Sequence, residues 1–141
     1  MKYRNLLLIS LLSTGVAVRA QSSFTVELVL NRTDAGGTMR VALCPSEESY
    51  SSQRGCVLKE VKATAGVVTV QFPNTPAGTY AVKVFHDEDD NGTLDTNWMG
   101  IPKEPYGFSN DAMGTFGPPS FQQASFKVGA GRTTIRIRMK G

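Results

Sequence analysis

The chain is poor in the residues that most often carry catalysis and metal chemistry. Its 141 residues hold two cysteines, one histidine and one tryptophan. No CxxC spacing and no GxSxG sequence occurs, which removes a redox dithiol and the usual serine-hydrolase elbow. No window shows sustained helical periodicity, and no second long apolar run follows the first one.

That first run belongs to "MKYRNLLLISLLSTGVAVRAQSS", with Lys2 and Arg4 ahead of an apolar stretch from Leu6 to Val18 and a small-residue Val18-Arg19-Ala20 end. Residues 1–20 read as a secretory signal peptide. The stretch is shorter than the roughly 20 residues a membrane span needs. Residues 21–141 are therefore expected as one exported domain, periplasmic or extracellular, with no transmembrane segment in the mature protein. A lipid anchor would need Cys after Ala20, where Gln21 stands.

Clustered basic charge is missing as well. Lys2, Arg4 and Arg19 leave with the leader, so the fifteen basic residues become twelve, against twelve acidic ones. A formally neutral domain gives no electrostatic reason for a nucleic-acid partner, because such binding draws on clustered Lys and Arg. In an oxidising compartment the lone pair Cys44 and Cys56, bracketing "PSEESYSSQRG", is expected to form a disulfide.

What is present is period-two alternation. Phe24, Val26, Leu28 and Leu30 share one face of the first segment. The pattern recurs at Met39, Val41 and Leu43; at Val68, Val70 and Phe72; at Tyr80, Val82, Val84 and His86; at Ala124, Phe126 and Val128; and at Ile135, Ile137 and Met139. A weaker strand is expected over 57–63. Gly and Pro turns separate these segments. One-sided strands must bury their apolar faces on one another, so the expected fold is all-β: a single antiparallel β-sandwich of about seven strands, immunoglobulin-like or prealbumin-like. The piece "FPNTPAGTYAVKVFHDEDDNG" resembles the middle of prealbumin-like and carboxypeptidase-regulatory-like sandwiches, in which a P-x-G-x-Y corner leads into a long central strand.

Two segments depart from the strand pattern. Residues 96–120, "TNWMGIPKEPYGFSNDAMGTFGPPS", form one long loop rich in Gly, Pro and aromatics. Trp98, Met99, Ile101, Tyr106, Phe108, Met113 and Phe116 give it enough apolar surface to be ordered, and burial in the core is the expectation for its aromatics. The alternative is that Trp98, Tyr106, Phe108 and Phe116 form a ligand surface for stacking.

The second is "VFHDEDDNGTLD", which sets five acidic side chains around an Asn-Gly pair. Counting from Asp87, Asp89 falls at position three, Asn91 at five, Gly92 at six, Thr93 at seven and Asp95 at nine, as in the first half of an EF-hand loop. Such oxygen donors suit Ca²⁺ as a structural ion, with the Thr93 carbonyl among the ligands. Trp98 occupies the twelfth position, so the last ligand must come from elsewhere, and Glu104 is the nearest acidic candidate. The opposed reading is a hairpin turn with solvated acids. His86 is expected as a hydrogen-bonded residue at the sandwich rim, and no catalytic residue is assigned.

The residues "HDEDDNGTLDTNWMGIPKEPYGFSNDAMGTFGPPSFQQASF" closely resemble the exported bacterial family known as domain of unknown function 2141. The shared motifs are the acidic turn, "G-I-P-x-E-x-Y-G-F-S-N" from Gly100 to Asn110, and "F-G-P-P-x-F" from Phe116 to Phe121. The resemblance implies an exported β-sandwich and no assigned activity. The leading expectation is a non-enzymatic binding or accessory module, with Ca²⁺ pinning the long loop into a surface for an envelope glycan or protein partner. The alternative is an envelope-acting hydrolase using His86, Glu104 and Tyr106 near a metal, which would need these groups at one open pocket. A carrier with an apolar cavity is the third possibility.

Overall fold

Alternation sets the first strand, β1 (Ser23–Leu30), whose even-numbered residues are buried and whose odd-numbered ones are partly exposed. The computed structural model describes residues 22–32 and 36–141. The leader read over 1–20 lies outside the described residues. After β1 come β2 (Thr38–Cys44), α1 (Glu47–Ser52), β3 (Val57–Lys62), β4 (Gly66–Phe72) and β5 (Gly78–Asp87). β6 (Tyr106–Phe108), α2 (Phe121–Ala124), β7 (Phe126–Val128) and β8 (Arg132–Arg138) complete the order.

Two sheets stack their apolar faces. One has the order β4-β1-β8; the other runs β3-β2-β5-β6, with β7 on the start of β5. Register explains the core: Val26 stands between Val70 and Ile135, and Leu28 between Val68 and Ile137. In the other sheet Val41 faces Val84 and Leu43 faces Val82. Apart from Ile135, these residues form one buried cluster with Phe24, Phe72 and Met39. The all-β sandwich is therefore as expected, with one refinement: β1 and β8 run parallel, while the other pairs are antiparallel.

Three local differences from the sequence reading have physical causes. Ala124 ends a helix rather than starting a strand, because Ser120 and Gln123 form a reciprocal capping box that nucleates α2. Ser46 and Ser49 do the same for α1 inside the segment between the cysteines. Phe126 and Ile135 are half-buried at the sandwich margin, packed against the core rather than inside it.

The long loop supplies a strand beyond the seven expected, β6. β6 pairs with β5 at Lys83–Phe108 and Phe85–Tyr106, and Tyr106 exchanges two backbone hydrogen bonds with Lys140 beyond β8, at 2.8 and 2.7 Å. This passage needs glycine at position 107, since a Cβ there would sit 2.7 Å from Ile137 Cγ2. The Tyr80 hydroxyl donates to the Pro76 carbonyl at 2.8 Å, closing the P-x-G-x-Y corner. Cys44 and Cys56 are paired as a disulfide between the end of β2 and the approach to β3. No helix among the described residues is long and apolar enough to cross a membrane.

Candidate functional site: an acidic turn beside a groove

Asp87 closes β5 with its side chain on the outward face of the sheet, fully buried. Its carboxylate accepts the Asn91 N–H at 3.0 Å, the Gly92 N–H at 2.9 Å and Arg40 Nε at 2.6 Å. Burial disfavours the Asp87 anion, but the Arg40 guanidinium and the two backbone donors outweigh it and hold the carboxyl below the usual carboxylate range. Gly92 has φ 85°, the left-handed turn the sixth loop position requires.

Glu104 joins the turn from sixteen residues downstream. It is 4 % exposed, and its two oxygens accept the Glu88 N–H at 2.8 Å and the Asp95 N–H at 2.9 Å. One carboxylate thereby straps both sides of the turn. Oxygens of Asp87, Asp89 and Glu104 lie within 4.8 Å of one another. Asp89 is held above its ordinary range, first by local desolvation and then by the Asp95 and Glu104 charges.

The remaining donors are arranged as a hydrogen-bonded turn. Asn91 Nδ2 donates to Asp89 at 3.2 Å and to Asp95 at 2.9 Å, while Asn91 Oδ1 accepts the Thr93 N–H and hydroxyl. Asp90 faces away and accepts from the Thr38 hydroxyl at 2.6 Å. Two of the acidic side chains have a cationic partner: Arg40 neutralises Asp87 and Arg32 pairs with Glu88. Among the described residues Asp89, Asp95 and Glu104 have no such cation.

The loop aromatics do not act together. Trp98 is 91 % exposed and Phe116 wholly so, and Met99 and Ile101 also stand in water. The expected burial is overturned at all four; Trp98, Met99 and Ile101 ride on residues 96–102, a finger that holds itself. Thr96 bridges Pro102, and the Asn97 side chain accepts the Met99 and Ile101 N–H groups at 2.9 and 3.1 Å. Tyr106 and Phe108 instead stand edge to face, 6.1 Å apart, on the outward face of β6.

Those two rings belong to a groove that alternation alone did not reveal. Across the outward face of this sheet one row reads Leu58, Ala42, Lys83, Phe108, and the next Glu60, Arg40, Phe85, Tyr106. Ala42 is the short member among long neighbours, so the surface dips there. Gly92, Thr93 and Leu94 of the acidic turn, Gln53 beyond α1 and Pro118 wall a space of about 540 Å³. A second apolar cluster, Tyr50 of α1 with Phe121 and Ala124 of α2 over Ala81, closes the end beyond Lys83.

His86 and Glu104 do not line this groove, although Tyr106 does. His86 is 1 % exposed and points with Val84 toward the core, where its Nε2 meets the Gly36 carbonyl. Among the described residues its Nδ1 has no hydrogen-bond partner, and it lies 3.9 Å from Glu88 Oε1.

The second half of the long loop is a clamp. Ser109, fully buried, accepts the Val82 N–H at 2.9 Å where β6 has ended and donates to the Ala124 carbonyl. Asn110 donates to the Gln123 and Ser125 carbonyls. Asp111 accepts from the Arg138 backbone and guanidinium, each at 2.8 Å.

The architecture is thus a β-sandwich that straps an acidic turn onto the rim of an open sheet groove. The chain belongs to the family described as "Uncharacterized protein conserved in bacteria (DUF2141)", whose sequence model matches residues 28–136. No curated protein and no solved structure matches the chain.

Proposed function

We propose that this protein is an exported, non-enzymatic binding module whose groove is walled by a cation-braced turn. One observation carries the reading. The stretch from Asp87 to Asp95 places Asp87 and Asp89 with Glu104 in a carboxylate triad, while its middle, Gly92 to Leu94, lines the groove. A divalent cation at the triad would offset the charge that Asp89, Asp95 and Glu104 leave uncompensated, and would stiffen that wall. All-oxygen donors at EF-hand spacing favour Ca²⁺ as a structural ion. Asn91 would turn its Oδ1 from Thr93 toward the ion, with the Thr93 carbonyl as the backbone ligand. Export is supported by the leader pattern at 1–20 and by the Cys44–Cys56 pair, a bond that persists in oxidising compartments. The ligand is then an envelope molecule, glycan or protein-derived or small.

Thermal melts with excess calcium and with chelator test the reading. At about a hundredfold excess over the dissociation constant, an ion bound only by the folded state adds roughly 2.7 kcal/mol. Asp89→Ala should remove that gain. Asp90→Ala should keep it, because the Asp90 carboxylate is turned toward Thr38. A melting temperature indifferent to calcium and chelator returns the stretch to a hydrogen-bonded turn.

A further inference from the structure

Lys83 stands in the floor of the groove, in the row between Ala42 and Phe108, while Lys59, which also lines the groove, lies opposite Val41 in the alternate register. An ammonium carries three donors. One donates to the Tyr50 carbonyl in the last turn of α1, and the charge lies 4.1 Å from the Tyr50 ring centre. No other hydrogen bond and no carboxylate at ion-pair distance serves it among the described residues. Arg40, one row away, is already held by Asp87 and Glu60. Arg40 and Lys83 thus differ: Arg40 is spent on the fold, while Lys83 keeps donors free. A cap on α1 would account for one of its bonds but leaves the other two donors without a protein partner among the described residues. Half-burial lowers the Lys83 pKa, so an anion beside it would be bound more tightly than at an open surface lysine.

The flanking surface is apolar. Phe85, Tyr106, Phe108 and Leu58 stand around Ala42 and Lys83, and about 540 Å³ is the size of a small organic molecule rather than a folded domain. We infer that the groove binds a small amphipathic carboxylate, its anionic head on Lys83 Nζ and its apolar body along Phe85, Tyr106 and Phe108. This names the ligand class for the binding reading above and rests on it, but does not require the cation.

The probes are 4-phenylbutyrate and its neutral amide, titrated into the isotope-labelled, disulfide-bonded protein with and without calcium and followed by amide NMR shifts. The carboxylate should move the amides of Ala42, Lys83, Phe85 and Tyr106, and bind about tenfold more tightly than the amide, the scale of one hydrogen bond to a charged group. Lys83→Met should bring the two compounds within about twofold of each other, and Lys83→Arg, which keeps the charge, should retain the preference. Equal binding of acid and amide by the unaltered protein overturns the carboxylate inference while leaving a binding groove. Silence of the groove amides to both compounds overturns the groove as a small-molecule site, whereas the calcium melts score the braced turn separately. Concentration-dependent dimerisation that moves the same amides would show that a second copy covers the groove, and overturns the proposal. So would binding of a phenylalanine-terminated peptide with its amidated form equally tight and both probes silent.

Discussion

On the outward face of the β4-β1-β8 sheet, Thr25, Glu27, Thr69, Gln71, Thr134 and Arg136 stand toward water, with Arg136 and Glu27 paired at 2.7 Å. On the outward face of β3-β2-β5-β6 the matching positions hold Ala42, Phe85, Tyr106 and Phe108 among charged neighbours, and two short helices and the acidic turn rise around them. Both sheets obey the same period of two, and both bury their inner faces in one core. The difference lies in what each outer face is asked to do. A face left to solvent is mostly polar, with Val29 and Val67 the apolar pair of this one. A shaped face needs a short residue at the dip, rings at its sides and a strap that brings distant sequence to its rim.

The largest expected effect treats the faces alike. Phe24, wholly buried between the sheets, should cost about 3–5 kcal/mol when cut to Ala. Urea unfolding should show both sheets lost in one transition, and loss of one sheet's amide protection alone would break the shared-core picture.

Removing the Cys44–Cys56 bond should come next and fall on the shaped face, where β2, β3 and α1 meet. A loop with sequence separation 12 predicts a loss of about 3 kcal/mol by chain entropy. The protein recovered under oxidising conditions should show no alkylatable thiol by mass, and two reactive thiols would sink the assignment.

Acid titration sharpens the contrast through charge. Asp87 has its carboxyl pKa lowered in the fold, so its contribution is fully present above the ordinary value of 3.8 and is lost as pH falls through the folded value. Asp87→Asn should flatten stability against pH in that acidic window. Asp89 is shifted upward, so ionising it opposes folding. Asp89→Asn should slightly raise the calcium-free melting temperature at neutral pH, and a fall would contradict that sign.

The smallest effects belong to the solvated face. Glu27→Gln removes an exposed ion pair worth about 0.2–1 kcal/mol, and Gln71→Ala should stay within about 0.5 kcal/mol of the unaltered protein. A larger loss at Gln71 would mean that this face too is occupied.

Several features of the site were legible before any coordinates. The Asp87, Asp89, Asn91, Gly92 spacing announced a tight turn, and Gly92 does adopt the left-handed conformation. Glu104 was legible as the reaching acid only because no acidic residue stood at the twelfth position. The groove was not legible. Arg40, Ala42 and Lys83 lie in alternate positions of two strands far apart in sequence, and nothing in either strand says which residues will stand side by side across the sheet. The self-held finger at Trp98 departs from expectation because apolar content suggests burial, while the bonds that hold the finger are local and polar.

Alternation, turn residues and the lone cysteine pair were sufficient, by themselves, to determine an all-β sandwich, its principal buried residues and its disulfide, because each of these depends on local periodicity or on the number of available partners. Tertiary structure alone decided that β8 lies parallel to β1, that Gly107 and Ser109 clamp the long loop, and that Lys83 faces a groove with donors to spare. Register and crossover bring together residues separated by tens of positions, and a charge becomes a binding group only when its neighbours leave it unpaired.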